Sequence, residues 1–173
     1  MYNDYYYQES ERLIFRKLEL ADINAWADFF VQNPMEKFVG PINLERNNIE
    51  KAAFWIERQL ERYEEDNAYG QLAVIDKVSE QLVGLGGILT RIIEGENEFE
   101  ITYSLKPEFW NLGYGTEIAV TFKNYAVENE LAASFISIIH KDNFASQKIA
   151  LKNGMRATVE LEYMTMPVIV FRS

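Results

Sequence analysis

The stretch of this 173-residue sequence with the most chemical content runs from position 105 to position 116. A strand-like segment ends in Lys106-Pro107-Glu108-Phe109-Trp110-Asn111-Leu112, continues as Gly113-Tyr114-Gly115-Thr116, and passes into a helical pattern. The first turn of a helix carries N–H groups with no partner inside the helix. The aligned peptide dipoles add partial positive charge there. Glycine permits positive φ and lets a ligand come close to the backbone. Such a turn can hold a phosphate or diphosphate without any basic side chain. The pattern is neither a Walker loop nor a complete G-x-G-x-x-G fingerprint. Taken alone, it is explained as well by a flexible loop before a glycine-started helix. A second feature is Asn143-Phe144-Ala145-Ser146 followed by Lys152-Asn153-Gly154-Met155. It reads as a short helix with an asparagine N-cap and a glycine closing its C-terminus.

The remaining inventory excludes whole classes of chemistry. With no cysteine, thiol nucleophiles, disulfides and thiolate metal sites are ruled out. With one histidine, His140, a His-rich metal site is ruled out, and this residue reads as a surface or loop histidine. No metal is expected. Twenty-seven acids against 17 bases give a net charge of -10. That argues against a phosphate-tracking basic groove and so against nucleic acid, and it makes a cationic partner easier to accommodate. No apolar run approaches the roughly 18 residues that span a bilayer. Residues 1–10 are polar and lack the apolar core of a signal peptide. The expectation is a cytoplasmic protein with no membrane partner. One domain is expected over 11–173, with 1–10 as a tail. Tyr2, Tyr5, Tyr6 and Tyr7 there either lie loose or pack at a subunit contact in a homodimer.

The elements that must position these residues follow from periodicity. Residues 98–105 alternate strictly between polar and apolar, the clearest strand in the chain. Further strands are expected near 12–18, 69–76, 82–91, 135–139, 155–160 and 164–171. Pro167 argues that the last is an edge strand or carries a bulge there. Helices are expected over 21–32, 48–66, 113–129 and 143–153. The second buries Ile49, Ala52, Ala53, Ile56, Leu60 and Tyr63. The order is β-α-α-β-β-β-α-β-α-β-β, an α/β mixed sheet whose unit from 98 to 139 is parallel.

This order, the Trp110-x-x-Gly-Tyr-Gly-Thr turn, Asn143-x-x-Ser, and Lys-Asn-Gly-Met together resemble the GNAT superfamily of acetyl-CoA-dependent N-acetyltransferases. The opening Glu11-Arg12-Leu13-Ile14-Phe15-Arg16-Lys17-Leu18 resembles the branch that includes ribosomal-protein N-terminal acetyltransferases. The resemblance covers nearly the whole chain from Glu11. It implies acetyl-CoA wedged between the strand ending at Leu105 and the strand ending near 139. Pantetheine would pair with backbone near Tyr103, Ser104 and Leu105. The diphosphate would sit on the amides of Leu112, Gly113, Tyr114, Gly115 and Thr116, with Asn143 and Ser146 beside the pantetheine and the sulfur. Many relatives carry a basic or amide residue where this chain has Leu112, and a tyrosine where it has Ala150. The role of assisting the departing thiolate therefore passes to Ser146.

The implied reaction is acetylation of a primary amine, either a peptide N-terminus or a small amine. It needs a neutral amine and a proton acceptor. Glu100 is the first candidate base. It shares a strand face with Thr102 and Ser104, and a glutamate commonly stands there in the resembled branch. A main-chain N–H near Tyr103 would receive the oxyanion. Glu94, Glu96, Glu98 and Glu100 alternate around a hairpin tip, and read either as a solvated turn or as a face that attracts a cationic amine. The competing reading is a catalytically weak module of the same fold that binds an acyl-CoA or a partner protein.

Overall fold

The computed structural model describes residues 4–40, 45–65 and 69–173. Among them, seven strands form one sheet: β1 (Leu13–Arg16), β2 (Gln71–Asp76), β3 (Leu82–Ile93), β4 (Glu96–Leu105), β5 (Ile136–His140), β6 (Arg156–Tyr163) and β7 (Met166–Arg172). Their spatial order is β1-β2-β3-β4-β5-β7-β6. Four helices complete the chain: α1 (Ile23–Ala27), α2 (Asn48–Tyr63), α3 (Tyr114–Glu128) and α4 (Phe144–Lys152). This is the mixed α/β order expected from the sequence.

The connections explain the pairing. Glu94 and Gly95 join β3 to β4 with φ of 51° and 89°, the two positive values that a tight hairpin needs. β4 and β5 are linked through α3 and are the parallel pair. α3 rests directly on the sheet at Gly86, where a Cβ would stand 2.4 Å from Ile118 Cγ2. As its periodicity requires, α3 buries Ile118, Phe122, Tyr125 and Ala126. Asn47 and Glu50 form a reciprocal capping box at the start of α2.

Four sequence expectations need correction. The helix expected over 21–32 is broken into a 3-10 turn, the five-residue α1, and a second 3-10 turn at Asp28–Phe30. A 3-10 turn eclipses residues three apart, and Trp26 stacks on Phe29 with ring centroids 4.4 Å apart. Aromatic packing overrides the 3.6-residue period. In α2, Ile49 is exposed, and the buried stripe runs through Ala52, Ile56, Gln59 and Tyr63; the expected end of this helix, at position 66, lies outside the described residues. β7 is interior, between β5 and β6, and the register shift lies in β6 between Ala157 and Val159. Pro167 sits one residue beyond the last β5–β7 pair, His140↔Val168; its carbonyl still accepts from Lys141 N at 3.1 Å, and with no N–H to return the bond it ends that ladder.

The fourth correction concerns the N-terminal tyrosines. Tyr2 lies outside the described residues. Tyr5 is 1% exposed, among Tyr69, Phe122 and Tyr125. Its hydroxyl donates to Gly70 O at 2.5 Å and accepts from Ile88 N at 2.7 Å. At Tyr5 the segment is thus not loose, whereas Tyr7 is exposed. Burying an aromatic ring and satisfying two main-chain groups outweighs the entropy of a free terminus. Among the described residues, no helix is long and apolar enough to cross a membrane.

Candidate active site

The site is built on a break in the sheet. β4 and β5 share one register pair, Glu100↔Ile136, although both strands run on to Leu105 and His140. Backbone groups past the break need other partners. Ser137 Oγ donates to Ile101 O at 2.9 Å, and Trp110 Nε1 donates to Leu105 O at 2.8 Å. Both carbonyls therefore face the gap, and strand alternation turns the main chain of Tyr103 the same way. Ser104 O lies 2.4 Å from where a Cβ on Gly84 of β3 would stand, so its main chain is turned toward β3.

A cleft of ≈ 770 Å³ passes through this gap. Its α3–α4 end is lined by Gly113, Tyr114, Gly115, Thr116, Asn143 and Ser146. Gly113 begins α3 at φ 84°, and no side chain caps the helix. The first-turn amides are left for an anion to meet. Leu112 is half exposed and does not line the cleft; its carbonyl accepts from Arg12 Nη1 at 2.9 Å. Arg12 also donates from Nε to Glu117 Oε2 at 2.7 Å and covers the Tyr114 ring. Arg12, the residue just before β1, thereby fixes the glycine turn from outside. Sequence patterns gave no sign of this brace, because the partners lie 105 residues apart.

Glu100 is 7% exposed and lies at the break. Its Oε2 accepts from Arg91 Nε at 2.6 Å, and Ile138 N approaches Oε1 at 3.4 Å. Ser146 N donates to the capping Asn143 Oδ1 at 3.2 Å. The Tyr103 hydroxyl donates to Ser146 O at 3.1 Å. Burial is the main reason that this phenol is pushed well above its ordinary range, so it stays protonated. Sequence reasoning used only the main chain of Tyr103 and missed its hydroxyl. Strand alternation carried the signal, since it puts Tyr103 on the face opposite Glu100. Ala150 is 1% exposed, in the core.

One further expectation changes, and one left open is decided. His140 is neither a surface nor a loop residue: it closes β5, lines the cleft and lies against the Phe38 ring at 4.5 Å. Its Nδ1 accepts from Asp142 N at 3.1 Å, which in the neutral ring leaves the proton on Nε2. The glutamates near the hairpin tip do not form an open acidic face. Glu98 is bound by Arg172 and Glu100 by Arg91. Among the described residues, no group of three or more His, Cys, Asp or Glu is placed to hold a metal ion.

A strand pair that parts beside an uncapped, glycine-started helix can take an extended ligand that carries an anion. The model of the acetyltransferase (GNAT) domain matches residues 12–156, and the chain belongs to that family. YoaA of Bacillus subtilis (strain 168), described as an uncharacterized N-acetyltransferase, is 24% identical over 148 residues, or 86% of this chain and 81% of its own. A solved ribosomal-protein-serine acetyltransferase of Vibrio cholerae, its assignment provisional, superposes with a TM-score of 0.78 at 17% identity, covering 95% of each chain. RimL, a ribosomal alpha-N-protein acetyltransferase solved in complex with coenzyme A, superposes with a TM-score of 0.76 at 13% identity, covering 95% of this chain and 94% of its own. At these identities the structural likeness is one of fold.

Proposed function

We propose that the chain transfers an acetyl group from acetyl-CoA to a primary amine by direct attack on the thioester. The observation that carries this reading is the β4–β5 break, continuous with the uncapped start of α3 in one cleft. The left-handed Gly113 and the free first turn fit a diphosphate. Asn143 and Ser146 lie along the same wall as the expected pantetheine path.

In this reading the cleft brings the neutral amine against the thioester carbonyl, and proximity supplies much of the rate. The Tyr103 amide offers the oxyanion a donor from the β4 side of the gap; a donor of this kind is worth about 2.7–4 kcal/mol. As the N–C bond forms and the C–S bond breaks, the proton lost by the amine passes to Glu100 directly or through water. Arg91 holds that carboxylate at the break. Ser146, held by the Tyr103 hydroxyl through its carbonyl, gives the leaving sulfur a hydrogen bond, and the sulfur's final proton comes from solvent. An α-amine, with a pKa of about 7.7–8.0, needs less help in this scheme than a lysine at about 10.4.

The test is thiol release from acetyl-CoA across a panel of peptides and small amines, beside calorimetric titration with acetyl-CoA. Saturable release above the amine-free rate is expected. Saturable binding without release would leave the module reading, and no binding at millimolar levels would remove both.

A further inference from the structure

The cleft is basic although the chain is acidic. Among the described residues, Arg58, Arg62 and Arg91 line its α2–β3 end, and Lys148 and Lys152 its α4 end, against the single carboxylate of Glu100. Arg91 is already used by that carboxylate. Arg58 and Arg62 stand four residues apart on α2, on neighbouring positions of one helix face. Arg62 Nε is buried and has no hydrogen-bond partner among the described residues. Burial first, then the like charges of Arg91 and Arg58, push its guanidinium below the ordinary range, and Glu65 and Glu100 offset this only in part. Arg58 leans over the Phe54 ring, 5.6 Å from its centroid.

A guanidinium kept partly out of water, beside two others and in no ion pair among the described residues, is what a bound anion would satisfy. We propose that the acceptor is a primary amine bearing an acidic group, a carboxylate or a phosphate. Arg58 and Arg62 receive that group on the α2 wall while the amine reaches the β4–β5 gap. This rests on the acyl-transfer reading and reverses the charge-based expectation of a purely cationic partner. Such a site selects through its unpaired donors: a neutral twin of the acceptor leaves the buried Arg62 Nε without a partner.

The experiment compares acceptors that differ only in charge. Short peptides carry aspartate or asparagine, phosphoserine or serine, as their second residue. 4-Aminobutyrate and its amide form the small-molecule pair. By thiol release, the acidic member of at least one pair should show a kcat/KM at least about tenfold higher. The aspartate and phosphoserine arms tell carboxylate from phosphate. In Arg62→Gln and Arg58→Gln the ratio should fall toward one, while Arg62→Lys keeps part of it; thermal melting verifies that the variants fold. Equal values for all twins, or a ratio that Arg62→Gln leaves unmoved, overturn the proposal. If no amine is acetylated, the acyl-transfer reading falls separately. Titration of the same twins against the protein saturated with coenzyme A then decides: tighter binding of an acidic twin, lost in Arg62→Gln, upholds the acidic subsite, and any other result overturns it.

Discussion

Gly113 and Glu100 bear different kinds of constraint. At φ 84°, Gly113 occupies a conformation that a side chain resists, although a Cβ there would meet only Arg12 Nη2, at 3.4 Å. Strain rather than space is the issue. Gly113→Val should destabilise the fold by about 1–2 kcal/mol, lowering the melting temperature by about 2–8 °C. It should also weaken acetyl-CoA binding in calorimetry, because the turn must relax away from the anion. Glu100 has charge but little freedom, held as it is by Arg91 at 2.6 Å. Glu100→Gln should lower kcat by roughly 10²-fold. An unchanged kcat would move the base elsewhere.

At the scale of elements, the N-terminal segment and the last hairpin stand out. Tyr5 reaches across β2 and β3 to satisfy Gly70 O and Ile88 N. Tyr5→Phe keeps the ring but strands the Ile88 N–H, and should destabilise by about 1–3 kcal/mol in denaturant unfolding. A loose segment would give no change. The β6–β7 hairpin turns through Met164 and Thr165 at φ 50° and 65°, where asparagine and glycine are the favoured pair. A β-branched threonine with positive φ is strained, and this tip lies at the cleft, which Met164 lines. Replacing both residues, Met164→Asn with Thr165→Gly, should raise the melting temperature by about 2–8 °C. Any accompanying change in the acceptor KM would tie the strain to function.

The whole molecule responds to acid through carboxylates that the fold ties down. Asp76 accepts from Ser79 N at 2.8 Å, Ser79 Oγ at 2.9 Å and Val78 N at 3.2 Å, and from the Tyr114 hydroxyl at 2.7 Å. These bonds, the Ser79 amide foremost and the Tyr114 hydroxyl next, hold its carboxyl at about 2, against about 3.9 in an unfolded chain. The folded value is the lower one, so the unfolded state binds the proton first as pH falls. The contribution is full above about pH 4 and is lost on the way down through about pH 2. Melting temperature should fall across that window, and part of the fall should be missing in Asp76→Asn. Thermal scans at a series of pH values measure it. Because Tyr114 opens α3, the same bond ties the end of β2 to the start of the glycine turn.

The sequence by itself determined whatever depends on near neighbours. Strand alternation over 98–105, the glycine start of α3, and the Asn143 and Gly154 ends of α4 are written in spacings of two to four residues, and each appears where those spacings put it. Tertiary structure decided which faces meet. It broke the helix expected over 21–32 around Trp26 and Phe29, drew Tyr5 into the core, and carried His140 to the cleft wall. It also gathered Arg58 and Arg62 from α2 beside Arg91 from β3, while Arg91 took Glu100 from β4. Periodicity gives the face on which a side chain lies, but not what the opposite face will present. That is settled only when distant segments compete to bury apolar surface and to leave no buried charge without a partner.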